Sequence, residues 1–261
     1  MIAAIEKQTI AIDIGGTKIA MAIVKGQNVD AYRKFETPRT GRGDDLVGAI
    51  ATQATKHFPQ QLPIAVATTG IVTNGCLTAL NPSTLPIEDN FPLNEKLYEA
   101  LGRRPVVVND AQAATWGEFL FGAGAGTQNF SFITVSTGVG AGLVVNGKLL
   151  IGSTGLAGHV GHTAVDSADN PCGCGRNGCL EAIASGTAIA SKASAYWGRD
   201  VRAPDVFAMS DKGDSHAAAI VSASAKAVAT SVANLVAAFD LDCVAIGGGV
   251  GLADGDRKSV V

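Results

Sequence analysis

His162, Cys172, Cys174 and Cys179 are four metal donors gathered in one short stretch, Gly155 to Glu181. Three thiolates and an imidazole make a closed tetrahedral set, the usual arrangement of a structural zinc ion. Gly173, Gly175 and Gly178 let the backbone fold tightly around such a site. A disulfide or free loop cysteines are the alternatives. Three clustered cysteines cannot all pair, however, and nothing else in the sequence points to secretion, so zinc is the expectation. Four protein ligands leave no open position for catalysis at the ion. The same stretch holds Glu181, close enough behind Cys179 for a metal clip to fix its position.

Three glycine-rich turns offer a second chemistry. In Asp13-Ile14-Gly15-Gly16-Thr17-Lys18 the backbone N–H groups of Gly15, Gly16 and Thr17 can approach phosphate oxygens without side-chain obstruction. Asp13 can hold a metal ion or a metal-bound water. One such turn commonly does no more than reverse the chain. Ser136-Thr137-Gly138 and Gly247-Gly248-Gly249 repeat the feature and make a nucleotide site credible. Neither a P-loop nor a GxGxxG after a first strand is present, so those two readings fall away. Asp110 follows a strand and precedes a helix, where a carboxylate can take the proton of a substrate hydroxyl during phosphoryl transfer. An ordinary N-cap aspartate occupies the same kind of position. Asn81, Asn109, His159 and Glu181 are polar loop groups suited to a polyhydroxylated ligand.

These groups need a scaffold, and hydrophobic periodicity supplies one. Strands are predicted at Thr9–Asp13, Ile19–Val24, Asn28–Glu36, Pro63–Thr69, Pro105–Val108, Phe130–Val135, Gly140–Val145 and Cys243–Ile246. Helices are predicted at Asp44–His57, Leu93–Leu101, from Ala111 to Gly122 with Asp110 near the N-cap, at Gly186–Trp197 and at Ser215–Phe239. Asn74-Gly75 is read as part of a loop, and Asn81–Pro92 as a long irregular one of the kind that often carries function. Ile10–Gly15 and Ile133–Gly138 match in kind, each an apolar strand entering a glycine-containing turn before a second strand. That faint repeat suggests two related lobes with a cleft between them.

Composition agrees with a turn-rich α/β protein: 261 residues, 47% hydrophobic, 16% charged and 32 glycines. A formal net charge of -3 offers no electrostatic footprint for nucleic acid or an anionic membrane. No segment is read as apolar over a membrane-spanning length, and the start lacks a signal-peptide pattern, so a cytoplasmic protein is expected.

DIGGTK, VVNDAQAA, STG, CGCGRNGCLE and GGGV, in that order, resemble the ROK group of sugar kinases (repressors, open reading frames and kinases) within the actin-like, hexokinase-like ATPase superfamily. The resemblance covers nearly the whole chain, and CGCGRNGCLE, similar to the family's CxCGxxGCxE zinc signature, is its most specific part. It implies a two-lobed α/β fold of duplicated ribonuclease-H-like lobes with a structural zinc loop, the lobes spanning 1–108 and 109–261. Asp13, Gly15, Gly16, Thr17 and Lys18 would form the first phosphate motif and Ser136, Thr137 and Gly138 the second. Gly247, Gly248, Gly249 and Val250 would lie by the adenosine. Asp110 would be the catalytic base, and Asn81, Asn109, His159, His162 and Glu181 would hold the sugar, with His162 also a zinc ligand. The implied cofactors and partners are ATP, Mg2+, structural Zn2+ and a small-molecule sugar, in a homodimer that binds neither nucleic acid nor membrane.

Two departures from the family pattern matter. The segment before the zinc histidine is usually Glu-x-Gly-His, and here it is His159-Val160-Gly161-His162. With ALNPSTL, VVNDAQAATWGEF and EAIASG, this resembles the branch that phosphorylates the 6-hydroxyl of N-acetylmannosamine in sialic-acid breakdown, ahead of kinases for glucose, fructose or other N-acetylhexosamines. Family repressors carry an N-terminal helix-turn-helix domain, for which a first strand at Thr9 leaves no room. After GGGVGLADGD the sequence ends in RKSVV, unlike the family's continuation. A shortened, poorly active or unstable product, or an inactive sugar-binding regulator, is the expectation attached to that feature.

Overall fold

Strand β1 (Thr9–Ile14) organises the first half of the chain. Side chains alternate across a strand, so Ile10, Ile12 and Ile14 are buried on one face while Asp13 is exposed. The computed structural model describes residues 7–79, 84–166, 169–253 and 259–260. In it β1 pairs antiparallel with β2 (Lys18–Lys25) and parallel with β4 (Ile64–Thr68). β3 (Asn28–Glu36) extends the sheet beside β2 and β7 (Val106–Asn109) beside β4, giving the order β3-β2-β1-β4-β7. Helix α1 (Gly43–His57) brings Leu46, Val47, Ile50 and Ala54 into the isoleucine core, and α2 (Leu93–Leu101) adds Leu93, Leu97 and Leu101. No side chain caps α1 from its N-cap residue; Asp44 and Asp45 favour its first turn through the helix dipole, and Glu88 Oε2 accepts the Gly43 N–H at 2.7 Å.

The second half repeats the plan. β8 (Phe130–Val135) pairs antiparallel with β9 (Val139–Val145) and parallel with β11 (Cys243–Gly247), in the order β10-β9-β8-β11-β12. The edge strands are the short β10 (Lys148–Leu149) and β12 (Ser259–Val260). Phe130 and Phe132 face Trp116 and Phe119 of α3 (Asp110–Phe121), whose rings stack at 5.3 Å. Ile133 and Val135, on the other face, cluster with Leu180 and Ile183 of α4 (Leu180–Ala184) and with Ala227, Val232 and Leu235 of α7 (Ser215–Phe239). Helices α5 (Gly186–Trp197) and α6 (Ala203–Asp211) pack with the first half of α7 through Ile189, Ala193, Val206, Ala217 and Ile220. The chain resolves into two compact units, Met1–Ala113 with Ile151–Leu156, and Ala114–Leu150 with Ala157–Val261.

The duplicated α/β plan expected from the sequence is therefore present. β1 and β8 occupy the same place in their sheets, each with an antiparallel hairpin partner on one side and a parallel strand on the other. Three differences have physical reasons. Asn74-Gly75 is a two-residue hairpin joining β5 (Ile71–Thr73) to β6 (Cys76–Thr78), with both residues at positive φ, the conformation asparagine and glycine tolerate best. Helix α4, of five residues, is too short for a periodicity reading, and α6, which has a proline in its first turn, is likewise not among the predicted helices. Finally, α7 is long and apolar enough to cross a membrane by length and composition, which corrects the expectation that no segment is; one face of it is buried in the second unit's core.

Ile12 and Asp13 are neighbours in one strand with opposite jobs. Ile12→Ala should lower unfolding free energy by about 2–5 kcal/mol, the range for truncating a fully buried aliphatic residue. Partial loss of water around the carboxyl raises the Asp13 pKa against the opposing charge of Lys34, so Asp13→Asn should leave the urea midpoint unchanged or higher. Urea titration at pH 7 checks both.

Candidate active site

Two carboxylates meet the same sheet edge. In the parallel register Asp13 pairs with Ala67 and Ala67 with Val108, so Asp13 and the Asn109-Asp110 junction lie two strand spacings apart, about 10 Å. This is the carboxyl end of parallel strands, where open α/β sheets bind ligands. Asn109 is buried. Its Oδ1 accepts the N–H groups of Ala111 (2.9 Å) and Gln112 (3.2 Å), and its Nδ2 donates to the Gly70 carbonyl at 3.0 Å. Asn109, rather than Asp110, is thus the residue that caps α3.

Relieved of capping, the exposed Asp110 carboxylate accepts the Ala111 N–H through Oδ1 at 2.8 Å. Although the side chain reaches solvent, the protein packed around the carboxyl strips it of part of its water and raises its pKa above the ordinary aspartate value. The Ala111 N–H pulls the other way, and the negative charge of Asp13 adds to the rise. A pair of acids in this state draws either a proton or a cation to the sheet edge.

The turn between β1 and β2 is held by residues the sequence did not single out. Gly15 N–H donates to the Lys18 carbonyl at 3.1 Å, closing the turn. Three successive carbonyls then face one segment: that of Gly15 accepts from Thr37 Oγ1 (2.7 Å), that of Gly16 from Arg39 Nη1 (2.9 Å), and that of Thr17 from Thr37 N (3.0 Å). In a trans peptide N–H and C=O point in opposite directions. The N–H groups of Gly16, Thr17 and Lys18 are consequently turned away from Thr37 and Arg39, an arrangement suited to an anion. A Cβ on Gly16 would lie 2.4 Å from the Thr84 carbonyl, which explains the glycine. Asn81 lies outside the described residues.

In the second unit the turn Ser136–Gly138 is pinned by two helices. Ser136 N–H donates to Gly138 O at 2.9 Å. The Ser136 carbonyl accepts from Gly186 N (2.7 Å), and the Thr137 carbonyl from Thr187 N (3.2 Å) and Oγ1 (2.9 Å), all at the start of α5. Glu181, from α4, accepts the Val139 N–H through Oε2 at 3.0 Å, so it is bonded to the turn itself. The Gly247–Val250 segment joins the same edge, because the Val135 carbonyl accepts from Val250 N (2.9 Å) and Gly251 N (3.0 Å).

The four metal donors do converge: the ligand atoms of His162, Cys172, Cys174 and Cys179 all lie within 4.8 Å of one another. His162 Nδ1 and Cys172 Sγ are 3.6 Å apart, and Cys174 Sγ and Cys179 Sγ 3.7 Å. A tetrahedral ion with metal–sulfur bonds of about 2.3 Å needs sulfur–sulfur edges of about 3.8 Å, so the donor set fits. Burial, and then hydrogen bonding to Cys174 and Cys172, push the Cys179 thiol up to about 12, so a cation must displace its proton. Gly161 presses the 3-10 turn Val160–His162 onto β9, where a Cβ would lie 2.1 Å from the Val139 carbonyl. His159 precedes that turn, with Nε2 shut off from solvent. Lys18 opens β2 and is exposed.

The ROK family model matches residues 9–261. The N-acetylmannosamine kinase of Haemophilus influenzae is 45% identical over 246 residues, which cover 94% of this chain and 82% of that protein. The structure of a ROK hexokinase from Thermus thermophilus superposes with a TM-score of 0.83 at 33% identity, covering 94% of this chain and 83% of that one. A ROK family glucokinase from Streptomyces griseus, solved with glucose and AMPPNP, gives a TM-score of 0.74 at 30% identity, covering 93% and 83% of the two chains.

Because Asn109 supplies a cap and a buried bond to Gly70, Asn109→Ala should cost about 1–3 kcal/mol of stability. Denaturant unfolding of that variant beside Asp110→Ala checks the division of labour, with the Asp110 variant expected at or above wild-type stability.

Proposed function

This chain belongs to the ROK family, and on that premise we propose that it transfers the γ-phosphate of ATP to the 6-hydroxyl of N-acetylmannosamine. The carrying observation is Asp110: an exposed carboxylate at the carboxyl edge of the first sheet, freed from capping by Asn109 and raised in pKa. A base whose pKa moves towards the working pH is better matched to taking a hydroxyl proton. The sugar oxygen forms its bond to the γ-phosphorus as the bond to the bridging oxygen breaks. ADP leaves, and the hydroxyl proton passes to Asp110 and then to solvent.

The backbone N–H groups of Gly16, Thr17 and Lys18 are oriented to take phosphate oxygens, with Ser136, Thr137 and Gly138 as the second phosphate turn and Gly247–Val250 by the adenosine. Mg2+ near Asp13 would neutralise charge on the transferring phosphates. For the sugar, Glu181 offers Oε1, since Oε2 serves Val139, and Asn109 stands at the strand end beside Asp110. Asn81, His159 and His162 complete the set. His159 stands where the family pattern has glutamate, and the identity to the Haemophilus influenzae kinase favours the acetamido sugar over glucose.

A coupled assay of ADP release across N-acetylmannosamine, N-acetylglucosamine, glucose and fructose tests the substrate. The highest kcat/KM should fall to N-acetylmannosamine, and a preference for glucose would overturn that choice. Asp110→Asn should lower kcat by about 10²–10⁴-fold with sugar binding retained. Its folded-state pKa is raised, so the ionised Asp110 costs stability above its unfolded pKa. The inactive variant should therefore melt at or above the wild-type temperature at pH 7.

For the four-donor cluster we propose structural zinc. A bound ion would cross-link His162 and the cysteine loop, fixing the start of α4 and with it Glu181. Elemental analysis should find one zinc per chain. Cys174→Ser should lose the metal and lower the melting temperature; full metal content at unchanged melting temperature would remove the assignment.

A further inference from the structure

We propose that Arg176 is a positioning residue of the four-donor cluster: its guanidinium offsets the negative charge that three thiolates bring to a zinc ion, and so sets how firmly the metal is held. The proposal rests on the structural-zinc reading above. Residues 172–176 form a tight turn, closed by the Gly175 N–H donating to the Cys172 carbonyl at 2.9 Å and the Cys172 N–H to the Arg176 carbonyl at 2.8 Å. That turn carries the Arg176 side chain back to the donors, where Nη2 donates to the His162 carbonyl. The same guanidinium hydrogen-bonds the Cys174 sulfur and lies in the field of Cys179 and Cys172. One side chain therefore contacts two of the four donor residues and acts on the other two through its charge.

The charge balance gives these contacts a purpose. A divalent ion held by three thiolates and a neutral imidazole leaves the site with one net negative charge. A guanidinium beside it brings the sum to zero, and charge-assisted hydrogen bonds are stronger than neutral ones. A local repulsion is relieved as well. The His162 carbonyl oxygen lies 3.6 Å from Cys179 Sγ. As a metal ligand Cys179 is a thiolate and has no hydrogen to donate to that oxygen. Arg176 supplies a donor to the same carbonyl, so the oxygen is satisfied beside an anionic sulfur.

Firm metal binding matters beyond the cluster. Cys179 is the N-cap residue of α4, and Glu181 in the first turn of that helix accepts the Val139 N–H. Arg176 is exposed, so salt screens its charge. The screening length falls from about 10 Å at about 0.1 M salt to about 3 Å at about 1 M. A residue that only shapes the turn would be indifferent to salt, and a lysine in its place would not recover the effect.

The test is a competition for metal. Wild type, Arg176→Ala and Arg176→Lys are loaded with zinc and titrated with a chromophoric chelator at about 0.1 M and about 1 M potassium chloride. At the lower salt Arg176→Ala should hold zinc about 10-fold more weakly than wild type, the lower end for loss of a bond to a metal ligand. The gap should narrow at the higher salt. Arg176→Lys, which keeps the charge without the planar fork, should recover part of the difference. Equal zinc affinity in Arg176→Ala and wild type overturns the proposal. So does a gap that salt leaves unchanged, or an Arg176→Lys protein as weak as Arg176→Ala, since either assigns Arg176 to the shape of the turn. An unfolded Arg176→Ala protein assigns it to the fold and overturns the proposal too. Wild-type protein that takes up no zinc sinks the zinc reading itself, and the role of Arg176 with it.

Discussion

The pairing of Ile12 with Val66 is the constraint from which the first unit's chemistry follows. Both side chains are buried, and with Ile10, Ile14 and Ile64 they fix the register of β1 against β4. A slip of one residue would send Asp13 into the core and the isoleucines outward, a change the hydrophobic effect strongly opposes. The same register carries through to β7, which sets Asn109 at the end of its strand and Asp110 on the first turn of α3. The spacing of the two acids is thus held by apolar residues that never touch a substrate. Chemistry at the edge is as well defined as the core beneath it.

At that edge two adjacent residues affect stability in opposite directions. Asn109 spends both ends of its amide on the fold, two N–H groups of α3 on one side and the Gly70 carbonyl on the other. Asp110, next in sequence, sits in surroundings that disfavour its charge. Two residues that look interchangeable in a loop therefore differ in the sign of their contribution to stability. Residues retained in spite of such a cost are the ones whose presence needs a functional reason.

Much of this was legible in the sequence where the signal is local. The eight longer strands and the long helices follow hydrophobic periodicity to within a residue or two, while the two- and three-residue strands β5, β6, β10 and β12 do not show in it, and the four candidate metal donors announce themselves by side-chain type. The cap was not legible, because Asn109 and Asp110 are both good capping residues and only the position of the helix start decides between them. Thr37 and Arg39 were missed for a different reason. They hold the Gly15-Gly16 turn from across the β2–β3 hairpin, 22 and 23 residues away from their partners. No spacing rule reaches that far. Glu181 was recognised as positioned by the cysteine loop, but its bond to the Val139 N–H depends on how α4 docks, which sequence does not specify.

The two glycine-containing turns show what duplication keeps and what it leaves free. Each is an antiparallel hairpin turn at the end of a strand that also has a parallel neighbour, because that topology is what exposes backbone N–H groups at the edge. Their supports are unrelated. The first is orientated by a threonine and an arginine from one loop; the second is gripped by the first residues of α5 and by a carboxylate placed two residues after a cysteine of the metal cluster. A turn needs its carbonyls and flanking N–H groups satisfied, and any donor or acceptor in reach meets that need. The first turn is accordingly sensitive to movements of the segment that carries Thr37 and Arg39. The second is sensitive to whatever orders the segment from Cys172 to Glu181. The two turns thus depend on two separate parts of the chain, and each can be perturbed without disturbing the other's supports.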